Sequence, residues 1–86
     1  MELGKQQIYA HVKELLANRR IDLRMIAFEW ERDPIHEVWY LRMTRSRKTC
    51  SIAFQEDEVE QWPTTPDVAE KCEKRILTVI DSLKER

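Results

Sequence analysis

Between Ile26 and Phe54 the apolar residues recur at every second position, and on either side of that stretch they recur every three to four. This change of period confines the chain to few folds. A two-residue repeat builds a strand with one apolar face, and a 3.6-residue repeat builds an amphipathic helix. Ile26, Phe28 and Trp30 alternate with Ala27, Glu29 and Glu31. Trp39, Leu41 and Met43 alternate with Tyr40, Arg42 and Thr44, and Cys50, Ile52 and Phe54 with Ser51, Ala53 and Gln55. Upstream, Ile8, Val12, Leu15 and Leu16 form the stripe of a helix from about Lys5 to Asn18, with Asn18 suited to a left-handed cap. Downstream, Thr65 as N-cap and Pro66 at the first helical position open a second helix, with Val68, Cys72, Ile76, Val79, Ile80 and Leu83 as its stripe. Val59 and Trp62, three apart, form one short turn over the end of the core.

Pairing apolar with apolar sets the expected registers. A tight turn centred on Pro34-Ile35, flanked by Asp33 and His36, puts Trp30 opposite Trp39, Phe28 opposite Leu41 and Ile26 opposite Met43. A turn centred on Ser46-Arg47 puts Met43 opposite Cys50, Leu41 opposite Ile52 and Trp39 opposite Phe54. A one-residue slip of either would turn every apolar side chain to the wrong face. The expected architecture is α+β in the order α-β-β-β-α: one domain over residues 1–86, a three-stranded antiparallel meander with two helices on its single apolar face. In this element order, and in the loop Asp33-Pro34-Ile35-His36 set against a Gly-Pro-x-His loop, the chain resembles double-stranded-RNA-binding domains. That family opens its second helix with phosphate-gripping lysines, whereas Thr65-Pro66-Asp67-Val68-Ala69-Glu70 stands here, so no RNA-binding residue is carried over.

Composition narrows the function. Fifteen Lys and Arg against sixteen Asp and Glu leave a net charge of −1, so only local clustering can favour an anionic partner. The single glycine, Gly4, excludes phosphate-binding loops, dinucleotide fingerprints and nucleophile elbows, all of which need several. Cys50 and Cys72 both fall on apolar stripes and read as buried thiols, while His11 is expected to face away from the first helix's stripe. His36 pairs with Asp33 across the turn. These residues share no metal-ligand spacing, and no nucleophile stands with a base, so neither a metal, a cofactor nor an enzyme is expected. The opening MELGKQQ has no basic-then-apolar pattern and no apolar run reaches membrane-spanning length, so the expectation is a cytoplasmic protein.

Two surfaces remain as candidates. The outward sheet face, with Met25, Ala27, Val38, Tyr40 and Ala53, is less polar than an idle face and would anchor a partner protein or a second copy on Tyr40. The alternative is an anion-binding or nucleic-acid-binding pole at the second hairpin, made of Arg20, Arg24, Arg42, Arg45, Arg47 and Lys48, with Lys84 and Arg86 arriving beside it. In the expected register Arg24 stands opposite Arg45. Acids gather at the other end, from Glu29 to Glu37 and from Glu56 to Glu60.

Overall fold

The computed structural model describes residues 2–84, and its core begins with the sheet. Strands β1 (Ile26–Asp33), β2 (Val38–Arg45) and β3 (Lys48–Gln55) form an antiparallel meander in the order β1-β2-β3. Leu41, Met43, Ile52 and Phe54 point to one face and are fully buried there. That face is covered by helix α1 (Glu2–Asn18) and helix α3 (Pro66–Lys84). Ile8, Val12 and Leu16 of α1 meet Cys72, Ile76, Ile80 and Leu83 of α3 in one cluster with the strand residues. Burying such side chains contributes about 1.5–3 kcal/mol each before entropy is charged against them. A short helix α2 (Glu56–Gln61) follows β3 directly and brings Val59 and Trp62 to the end of the core. The α+β meander with helices on one face is therefore the observed architecture, α2 being the expected short turn extended into a helix.

The second hairpin has the expected register, with Met43 opposite Cys50 and Trp39 opposite Phe54. Its two-residue loop is closed by Ser46 at φ 57°, the left-handed backbone that such turns demand and usually take from glycine. The first hairpin differs. Asp33 pairs with Val38, so the loop runs over four residues and the register moves by two, placing Trp30 opposite Leu41 and Ile26 opposite Arg45. Pro34 is the reason. Its ring holds φ near −65°, which forbids the positive φ of a two-residue hairpin at that position. Instead the Asp33 carboxylate accepts the Ile35 and His36 N–H groups, and Glu37 at φ 54° turns the chain back. A slip of two preserves the faces, and Trp30 and Trp39 still meet diagonally with ring centroids 6.2 Å apart.

The end of α1 also departs from expectation. The left-handed residue is Arg20 at φ 60°, not Asn18. Arg20 N–H donates to Ala17 and Ile21 N–H to Leu16, the paired bonds of a Schellman cap, with Leu16 and Ile21 buried together. A β-carbon disfavours that conformation, so Arg20→Gly raises stability by about 1 kcal/mol in urea unfolding. Gly4 has the opposite constraint: a β-carbon there would run into the Val59 carbonyl of α2. Helix propensity favours alanine by about 1 kcal/mol, but overpacking costs about 1–3. Gly4→Ala therefore lowers the urea midpoint, and a raised midpoint would contradict this close approach of α1 to α2.

Candidate interaction surface

The uncovered face of the sheet is built in rungs. Glu31, Tyr40 and Ala53 form one rung, Glu29, Arg42 and Ser51 the next, and Ala27, Thr44 and Thr49 the third. Of the five residues expected here, the structure brings Tyr40 and Ala53 side by side, half-buried, and leaves Ala27 exposed. Val38 is on the same side of β2 but only 8 % exposed, so it cannot serve as an open contact. Met25 is exposed in a single 3-10 turn (Leu23–Met25) just before β1, off the strand face. The middle of the face is ionic rather than apolar: Arg42 pairs with Glu29 and also reaches Glu31 at 3.4 Å. The shifted register produces this, because it sets Arg42 opposite Glu29 rather than opposite Ala27. The less polar part of the face thus contracts to the corner around Tyr40 and Ala53.

The expected basic pole is divided by the fold, which pairs Arg24 and Arg42 with acids. Arg24 does not stand opposite Arg45; it closes a fork on Asp22, with Nε at 3.2 Å from Oδ1 and Nη2 at 3.1 Å from Oδ2. These hydrogen bonds from Arg24 hold the Asp22 carboxyl below its ordinary range. Arg42 belongs to the sheet face, and Lys48 donates to the Ser82 carbonyl at 2.7 Å, satisfying one of the orphan carbonyls at the end of α3. Arg19 reaches Asp81 at 3.1 Å and ties α1 to α3. Among the described residues Arg20, Arg45 and Arg47 have no acid within ion-pair distance. Arg86 lies outside the described residues. On the acidic side, Glu56 pairs with Arg32 at 2.8 Å, and His36 Nδ1 lies 2.8 Å from Asp33, the expected turn pair. The His36 bond, aided by the loop N–H groups, holds Asp33 below its ordinary range.

The strongest electrostatic feature was invisible in the sequence. Glu58 of α2 is only 6 % exposed and receives Arg75 of α3 through two bonds, Nη1 to Oε1 at 2.9 Å and Nη2 to Oε2 at 3.2 Å. The same Oε1 accepts the Gln55 N–H at 2.8 Å, and Arg75 Nη1 also donates to the Ala53 carbonyl at 2.9 Å. Burial works to raise the Glu58 carboxyl, yet the bonds from Arg75 and from the Gln55 N–H outweigh it and hold the group below its ordinary value. Cys72 donates its thiol to Glu58 at 3.6 Å, so it is buried as expected but not apolar in its contacts. Burial, with the Glu58 charge beside it, pushes that thiol up, away from reactivity. Cys50 is half-buried, with its sulfur 3.8 Å from the Ser82 hydroxyl. His11 does not point away: its ring lies 5.9 Å from Trp62, and its buried Nε2 is 3.7 Å from Glu73 with no hydrogen-bond partner.

No family model matches the chain, and neither a curated protein nor a solved structure matches it. The likeness to double-stranded-RNA-binding domains is thus one of element order and a loop, without further support. Among the described residues no helix is long and apolar enough to cross a membrane.

Glu58 makes the fold acid-sensitive in a defined direction. Its folded value lies below the ordinary 4.5, so its stabilisation is present above that value and is lost as pH falls through the depressed one. Urea unfolding between neutral pH and pH 3 should show a loss of stability that Glu58→Gln flattens. Arg75→Met, which leaves a buried carboxylate without its cation, should cost on the order of 2–3 kcal/mol at neutral pH.

Proposed function

We propose that this chain is a non-catalytic protein-interaction module that takes a partner protein, or a second copy of itself, on the open face of its sheet with Tyr40 as anchor. One observation carries the reading: both long helices pack on the same face of the meander, so the other is covered by no element among the described residues. Tyrosine suits such a place, because it gives a large contact area with little conformational entropy and keeps a polar tip for the partner. Ala53 beside it leaves room for an incoming side chain, and the Glu29–Arg42–Glu31 group supplies the polar rim that orients a contact. The hairpin tip supports a second reading, anion or nucleic-acid binding, since Arg45 and Arg47 keep their charge unpaired among the described residues.

The two readings respond oppositely to salt and to mutation. Sedimentation across a concentration series, with pull-downs from the same stock, should show assemblies or retained proteins that survive added salt and vanish with Tyr40→Glu. The double change Arg45→Glu, Arg47→Glu should leave them intact. Binding of labelled RNA or DNA that weakens steeply with salt and is lost in the double change would establish the second reading instead. Interactions indifferent to Tyr40→Glu would remove the sheet face from consideration.

A further inference from the structure

The two edges of the sheet are finished in different ways. In the second hairpin Arg45 and Lys48 flank a two-residue loop, so β3 directs the N–H and C=O groups of Thr49, Ser51, Ala53 and Gln55 away from β2. The last two residues of this edge are closed: Arg75 donates to the Ala53 carbonyl and the Gln55 N–H donates to Glu58. The Glu58–Arg75 pair stands where a fourth strand would. On β1 the same alternation turns Ile26, Phe28, Trp30 and Arg32 outward. The Ile26 N–H is taken by the Leu23 carbonyl. Among the described residues no hydrogen bond reaches the N–H or C=O of Phe28, Trp30 or Arg32 along this edge.

We propose that the β1 edge is a strand-addition site for an extended segment of a partner protein that alternates basic with apolar residues. An added strand places its side chains beside those of β1 on each face in turn. On the outer face it meets Glu29 and Glu31, 61 % and 57 % exposed, which share the single Arg42 guanidinium and so keep one negative charge in excess. On the inner face it meets Phe28 and Trp30, both half-buried, with Tyr9 of α1 edge-on to Phe28 at 5.0 Å. Basic residues match the first row and apolar residues the second. A second copy of β1 is the poorer occupant in the registers that overlap the strand's centre. Antiparallel self-pairing centred on residues 29 to 31 sets Glu29 against Glu29, Glu29 against Glu31, or Glu31 against Glu31. Glu29 and Glu31 also border the Tyr40 face, but the outward backbone groups of Phe28, Trp30 and Arg32 belong to this edge alone, and the inference does not depend on that reading.

The test is amide hydrogen exchange by NMR on the whole chain, with acetylated Lys-Val-Lys-Val-Lys-Val-Lys-amide as the probe. The peptide should slow exchange at Phe28, Trp30 and Arg32 by about tenfold or more and leave Thr49 and Ser51 unchanged. The matching Glu-Val peptide should do nothing. Arg32→Pro removes an outward N–H without taking a bond from the β1–β2 ladder, and should abolish the protection. Glu29→Lys with Glu31→Lys alters only exposed side chains and should exchange the preference between the two peptides. Tyr40→Glu should leave the protection in place, so loss of the sheet-face reading and loss of this one are distinguishable. Absence of protection at millimolar peptide, equal protection by both peptides, or protection on β3 instead would overturn the proposal.

Discussion

The bond system between Glu58 and Arg75 is the interaction on which the arrangement of the other elements depends. A three-stranded sheet has two edges, and a chain of this size has no spare element with which to cover them. Here one carboxylate and one guanidinium, each from a different helix, satisfy two backbone groups of β3 and each other. The pair fixes where α2 leaves the strand and where α3 lies along it. Desolvating the Glu58 carboxylate is costly, and it is tolerated because the pairing with Arg75 is bidentate and the Gln55 N–H and the Cys72 thiol donate to the same carboxylate. Cys72 is drawn into the same system, so its thiol is a donor as well as core filling.

The remaining charges follow a similar economy. Arg24 is held by Asp22, Arg42 by two glutamates, Arg32 by Glu56 and Arg19 by Asp81. Lys48 completes the carbonyl end of α3. Exposed pairs of this kind contribute little stability individually, commonly under about 1 kcal/mol. Their larger effect is on recognition, because a cation already engaged is a poorer ligand for phosphate. What stays available is uneven: Arg45 and Arg47 at one hairpin tip, the shared acidic pair on β1, and Tyr40 on the open face.

Much of the core was legible in the alternation and in the helical stripes, since both patterns are local consequences of backbone geometry. The second hairpin was readable for the same reason, although Ser46 had to accept a backbone that glycine usually supplies. The first hairpin was not, because the competing signals at Asp33 and Pro34 both mark a turn without stating its length. Proline's fixed φ carried the information, and the two-residue shift it forced changed who faces Arg42 and Arg45. The cap at Arg20 broke the usual residue preference in favour of the buried contact between Leu16 and Ile21. Glu58 looked like one of several solvated acids, because nothing nearby in sequence identifies a partner seventeen positions away.

By itself the sequence determined the order of the long helices and strands, the face each strand buries and most of the residues that fill the core. These follow from the spacing of apolar residues, which acts within a few positions. Only the tertiary structure decided which charges are paired, which edge of the sheet is closed and which residues of the open face are reachable. Those outcomes depend on side chains brought together from distant segments, where a register moved by two residues, or one helix laid along an edge, changes every partner.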